Sequence, residues 1–120
     1  MSKKILIIDD EPHLVEVLAN RLERAGYEVV SAVTGREGLE RASKAKPDLI
    51  LLDLLMPDLD GFHVLRELKQ KEDTKSIPVM ILTVKKWSEG IEKVMSQGAV
   101  DYIVKPFNPV ELLEKIKKVL

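Results

Sequence analysis

Five short apolar runs alternate with stretches of helical periodicity along this chain, and that alternation leaves few folds open. Ile5 to Ile8 is a run of branched apolar residues and reads as a strand buried on both faces. From His13 to Ala25, the residues Val15, Leu18, Ala19 and Leu22 share one helical face, and Gly26 stops the helix. Tyr27 to Ala32 reads as a second strand. A helix follows from about Gly35 to Lys44, with Leu39 and Ala42 inward. Leu49 to Leu52 is a third strand, and Phe62 to Gln70 a helix with Val64, Leu65 and Leu68 apolar. Ile77 to Leu82 is a fourth strand, with Pro78 near its start, where a missing donor is tolerated. A weaker helix covers about Lys86 to Gln97, interrupted by Gly90 and closed by Gly98; Val100 to Val104 is a fifth strand. Asn108 is placed to cap a last helix with Pro109 at its first position. Such alternation implies an α/β sandwich of three layers, a parallel five-stranded sheet covered by helices on both faces. With 120 residues and no linker or repeat, one domain spanning 1–120 is expected. In such a sheet, ligands bind beyond the carboxyl ends of the strands, where the strand order switches.

The first apolar run leads straight into Asp9-Asp10-Glu11. Like charges at the edge of a core repel one another and resist desolvation, so the arrangement calls for something positive to sit there. The other strand ends complete the pattern. The third ends in Asp53, the fourth in Thr83 and the fifth in Lys105, all on one rim if the strands are parallel. If the first and third strands are neighbours, their ends lie about 4.8 Å apart. Asp10 and Asp53 can then bind one small cation, with oxygens at about 2.1 Å if it is Mg²⁺ (or, with similar ligands, Mn²⁺). A carboxylate beside such an ion can also attack phosphorus. Lys105 would supply a second positive charge to the equatorial oxygens, and the Thr83 hydroxyl one hydrogen bond. A nucleotide site of flavodoxin type is disfavoured, because Asp9-Asp10-Glu11-Pro12 would repel a bare phosphate.

Composition narrows the remaining classes. Lys+Arg number 19 against 20 Asp+Glu, a formal net charge of −1, so there is no basic excess to suggest nucleic-acid binding. No cysteine is present, which rules out disulfides and thiolate chemistry. The opening Met1-Ser2-Lys3-Lys4 leads into a run too short for a signal peptide, and no segment is long enough to span a membrane. A cytoplasmic protein is the expectation.

The segments ILIIDDEP, PDLILLDLLMPDLDGF, VMILT and GAVDYIVKPF, in that order and spacing, resemble the receiver domain of bacterial two-component response regulators across essentially the whole chain. The resemblance implies a flavodoxin-like (βα)5 fold with strand order 2-1-3-4-5. It implies Asp53 as phosphoacceptor, Asp10 as a direct Mg²⁺ ligand, Asp9 holding the ion's waters, and the backbone carbonyl of Leu55 as a further ligand. It makes Thr83 and Tyr102 a switch pair and puts Lys105 on the phosphoryl group, with a cis bond from Lys105 to Pro106. The function it implies is a phosphoacceptor switch, charged by a histidine kinase or phosphotransfer protein, that catalyses only its own phosphorylation and dephosphorylation. Its output would pass through the surface of the fourth helix, fifth strand and fifth helix to a protein target or a missing output domain.

Other residues carry weaker signals. Leu14, Val17 and Arg21 lie about 100° round the first helix from its core stripe and, with the loop after the fifth strand, could dock the kinase. His13 and His63 read as ordinary surface residues, and Trp87 with Ile91 and Val94 as a packed face open to partner docking. Lys115, Lys117 and Lys118 read as solvated cations favoured by the helix dipole. Val84 and Lys85 depart from the family pattern; a branched residue after Thr83 would narrow access to Asp53 and slow loss of phosphate. Two alternatives stay open: an interaction module with little phosphoryl turnover, and a receiver cut from a longer transcriptional regulator. A haloacid-dehalogenase-like phosphatase would need Asp-x-Asp after the first strand, which this chain lacks.

Overall fold

The computed structural model describes residues 2–56, 58, 60–84 and 88–120, with backbone alone at 88 and 89. Its strands are β1 (Lys4–Ile8), β2 (Glu28–Ala32), β3 (Leu49–Asp53), β4 (Val79–Thr83) and β5 (Asp101–Val104). They alternate with the helices α1 (Pro12–Arg24), α2 (Gly35–Ala45), α3 (Gly61–Gln70), α4 (Ser88–Ser96) and α5 (Pro109–Val119). All strand pairs are parallel, and the sheet order is β2-β1-β3-β4-β5, as the resemblance implied.

Alternation along the strands divides the core in two. Leu6, Ile8, Ile50, Leu52, Val79 and Ile81 face α2, α3 and α4, where Ala42, Val64, Leu65, Leu68 and Val94 meet them. Ile5, Ile7, Leu49, Leu51, Met80, Leu82 and Ile103 face α1 and α5 and pack on Val15, Leu18, Leu22, Leu112 and Ile116. Both faces of the central strands are therefore dry, which is why β1, β3 and β4 read as unbroken apolar runs rather than alternating ones.

Several local expectations shift. β4 begins at Val79 rather than Ile77, because the Ile77 amide turns back to the Thr74 carbonyl at 3.0 Å. β5 begins at Asp101 rather than Val100. Asn108 does cap α5, accepting from the Val110 amide at 2.8 Å. Ala42 and the half-buried Leu39 of α2 pack against the core as expected, and Gly35 and Gly38 are buried on the same helix. Lys115 is not simply solvated: its ammonium donates to the Tyr102 carbonyl at 2.6 Å, meets Asp101 at 3.3 Å and lies 5.0 Å from the Tyr102 ring centroid. Lys85, Trp87 and the expected helix start at Lys86 lie outside the described residues. No helix among the described residues is long and apolar enough to cross a membrane.

Gly38 sets how closely α2 approaches the sheet. A Cβ there would lie 2.6–2.8 Å from the Ile8 side chain, which is fully buried and has no room to yield. Gly38→Ala is expected to cost about 1–3 kcal/mol through overpacking. Urea denaturation checks this; an unchanged midpoint would show that α2 can lift away freely.

Candidate functional site

Strand alternation builds the rim above the α1–α5 face. Asp53 is the last residue of β3 and follows Leu51 on that face. Asp9 stands two residues after Ile7, and Lys105 two after Ile103, in the same phase. Their side chains accordingly converge. The Lys105 ammonium donates to Asp9 Oδ2 at 2.7 Å and to Glu11 Oε1 at 3.4 Å, and lies 3.7 Å from Asp53 Oδ1. Asp9 is fully buried, and Asp53, Thr83 and Lys105 nearly so, while Asp10 is half-exposed at the mouth.

The backbone holds these groups in place. Asp9 Oδ1 accepts from the Glu11 amide at 3.0 Å, which turns the chain sharply after β1. Asp53 Oδ1 accepts from the Leu55 amide at 3.4 Å. The Gly61 amide donates to the Leu54 carbonyl at 2.8 Å and so draws the start of α3 against the end of β3. A Cβ at Gly61 would lie 2.5 Å from the Leu54 Cα and 2.7 Å from the Asp53 carbonyl oxygen, both backbone atoms. Only glycine fits that approach. The Lys105 amide bonds the Thr83 carbonyl, fixing the start of the β5–α5 loop, and the Lys105–Pro106 peptide is cis as expected.

Electrostatics mark the rim as short of positive charge. Burial raises Asp53; Lys105 opposes this, Asp9 adds to it, the Leu55 amide opposes it and Asp10 adds to it, and the balance puts the carboxyl at about 6. Burial pulls the Lys105 ammonium down, but its hydrogen bond to Asp9 and the charges of Asp53, Asp9 and Glu11 outweigh that and leave it above the usual lysine range. Among the described residues, one ammonium thus serves several carboxylates. Asp9, Asp10 and Asp53 each offer a ligand oxygen, and these oxygens all lie within 4.8 Å of one another. An all-oxygen set with surplus negative charge is what a hard divalent cation requires, so the residues present fit such an ion.

Thr83 pairs with Val104 across β4 and β5, and Tyr102 pairs with Ile81, so the two candidate switch residues share the sheet face turned to α3 and α4. Leu14 and Val17 line an apolar groove with Glu11, Val84, Lys105, Pro106 and Phe107, which joins the outer stripe of α1 to the loop after β5. Arg21 lies farther along α1, beside Asn20 and Arg24. His13 is exposed; His63 meets Glu67 on its own helix at 3.8 Å, away from the rim. Sequence reasoning gave no role to Glu11, whose place beside Lys105 was signalled only by its position after the paired aspartates. It also missed Asp58, which contacts α2; a lone acid in a turn carries no readable signal of a remote partner.

A sheet of this order with acids, a hydroxyl and a lysine on its carboxyl rim is the architecture of a phosphoacceptor switch. The family comparison agrees: the response regulator receiver domain matches residues 5–117, and the chain belongs to that family. It is 43% identical over 122 residues to the alkaline phosphatase synthesis transcriptional regulatory protein PhoP of Bacillus subtilis, covering 100% of this chain and 49% of that protein. It is 40% identical to protein PilH of Pseudomonas aeruginosa, covering 98% of this chain and 97% of PilH. The crystal structure of chemotaxis protein CheY4 of Vibrio cholerae superposes with a TM-score of 0.94 at 35% identity, with both chains covered in full. The chain spans about half the length of most of the curated relatives it matches, PilH being of nearly equal length.

With its pKa near 6, Asp53 keeps its proton in the folded protein at pH values where the unfolded chain has lost it. The stability this contributes is fully present below about pH 4 and is lost as pH rises through about 6. With divalent cations chelated, Asp53→Asn is therefore expected to be more stable than wild type at about pH 7, with the gain shrinking toward about pH 4. Urea midpoints across that range check it; a gain independent of pH would refute it.

Proposed function

We propose that this chain is a signalling receiver that takes a phosphoryl group onto Asp53 from the phosphohistidine of a histidine kinase or phosphotransfer protein. The observation that carries this reading is the convergence of Asp9, Asp10 and Asp53 with Lys105 on one buried rim. Residues 1–120 act as one receiver unit, and we assign it to the cytoplasm.

In this reading, Asp10, Asp53 and the Leu55 carbonyl hold Mg²⁺ (or Mn²⁺), and Asp9 binds through water. Bound there, the ion would supply positive charge to the phosphoryl oxygens. The Asp53 carboxylate attacks in line; the P–N bond of the donor breaks as the P–O bond to Asp53 forms, and the imidazole leaves with the electron pair. Lys105 moves from its close contact with Asp9 toward the incoming phosphoryl oxygens, a compact charge on a flexible stem suited to that shift. The Thr83 hydroxyl then donates to the phosphoryl group. Tyr102, on the same sheet face, turns into the space Thr83 vacates and alters the surface of α4, β5 and α5 for a protein partner or an attached output domain. The donor docks in the groove of Leu14, Val17 and the β5–α5 loop, which opens directly onto Lys105. The chain catalyses no other reaction than its own phosphorylation and dephosphorylation.

The test is uptake of beryllofluoride, or of phosphate from a phosphohistidine donor, with and without Mg²⁺. Uptake by wild type with Mg²⁺, and none by Asp53→Asn or after chelation, is expected. Label retained in Asp53→Asn would end the proposal.

Val84 is 51% exposed on the groove beside Lys105; in this reading its branched side chain narrows the approach of water to Asp53. Phospho-Asp53 is expected to persist for minutes or longer, and Val84→Ala to shorten that lifetime. A wild-type half-life of seconds, measured by loss of label, would contradict this.

A further inference from the structure

We infer that Asp58 is a positioning residue for the metal-binding loop, anchoring it to the N-terminus of α2. The inference rests on the reading that Asp10, Asp53 and the Leu55 carbonyl hold Mg²⁺. Asp58 sits in the β3–α3 connection, downstream of Asp53 and Leu55. Its carboxylate crosses to a different element. Oδ1 accepts from the Gly35 amide at 2.9 Å, and Oδ2 accepts from the Arg36 amide at 3.1 Å. These are the opening amides of α2, which have no acceptor within the helix.

The helix already has a cap of its own. Thr34 Oγ1 accepts from the Glu37 amide at 3.1 Å, and Glu37 reaches back to the Val33 amide at 3.0 Å. Local sequence therefore suffices to start α2. What the remote carboxylate adds is a hold on its own connection, by two charge-assisted bonds at the positive end of a helix. Among the described residues, the connection is also held by the Leu55 amide on Asp53, by the Gly61 amide on the Leu54 carbonyl, by Asp60 capping the His63 amide at 2.8 Å, and by Met56, whose side chain is buried in the core. Leu55, whose carbonyl is the candidate ligand, is 56% exposed and buries little side chain to keep it in place. Asp58 adds a polar anchor from outside the site, to an element remote in sequence. Partners that hydrogen-bond a ligand directly are worth about 10–100-fold in metal affinity, and a group acting through the loop backbone belongs at the low end of that range.

The experiment is Mg²⁺ titration by calorimetry of the wild-type chain, Asp58→Asn and Thr34→Ala, with thermal unfolding of each in chelator. Asp58→Asn turns an amide group toward a helix N–H and loses one prong; it is expected to bind Mg²⁺ about tenfold more weakly. Thr34→Ala removes a cap from the same helix without touching the loop. It is expected to lower Tm and leave the Mg²⁺ dissociation constant within about twofold. Should Asp58→Asn not fold, Arg36→Pro removes the same prong from the helix side, at a first-turn position that tolerates proline, and is expected to weaken Mg²⁺ in the same direction. Wild-type affinity in both Asp58→Asn and Arg36→Pro, or an equal loss in Thr34→Ala, would reduce Asp58 to a helix cap and overturn the inference alone. Failure of the wild-type chain to bind Mg²⁺ would overturn the metal reading, and the inference with it.

Discussion

The ammonium of Lys105 is the charge on which the rim depends. It lies 2.7 Å from Asp9 and 3.7 Å from Asp53, all three nearly out of water, with Glu11 beside it and Asp10 at the mouth. Removing such groups from water costs several kcal/mol each unless they find partners, and among the described residues one ammonium is shared by several carboxylates. The consequence is visible at Asp53, whose carboxyl is pushed up to about 6. A site whose described residues carry this surplus of acids is poised to take a cation. Once charge is added to Asp53, it is equally poised to rearrange. Signalling in this reading is the response of a packed sheet to a change in that balance.

The fold has to be nearly complete before the balance exists. Asp9 and Asp53 come from adjacent central strands, but Lys105 arrives from β5 at the sheet's edge, two strands from β3. Every strand from β1 to β5 must be in register for the ammonium to reach Asp9. The glycines support the same geometry from two helices on one face of the sheet. Gly38 lets α2 sit against Ile8 beneath the rim, and Gly61 lets α3 begin against the backbone of Asp53 and Leu54. Asp58 then ties the connection between β3 and α3 to α2, so both helices on that face help to locate one short stretch of backbone.

Much of this was legible in the chain, for a local reason. Strand and helix periodicities are written in neighbouring residues, so β1, β3 and the cap at Asn108 could be read directly. The acids after Ile8 and Leu52 were legible because they break an apolar run abruptly. What escaped reading depends on neighbours distant in sequence. Leu39 and Ala42 were read as inward and do meet the core, but the closest approach of α2, made by Gly38 over Ile8, carried no signal in the chain. Lys115 looked like a solvated cation, but the Tyr102 carbonyl happens to lie within its reach. The start of β4 moved because the Ile77 amide bonds the Thr74 carbonyl, which closes the turn before the strand.

By itself, the sequence determined that five strands and five helices alternate, which residues end each strand, and which chemistry those ends carry, since each follows from short-range periodicity and side-chain type. Only the tertiary structure decided that Lys105 meets Asp9 across 96 positions, that Glu11 shares that ammonium, and that Asp58 reaches α2 rather than solvent. Those contacts follow from strand order and register, which hydrophobic burial selects over the whole molecule at once and no local stretch encodes.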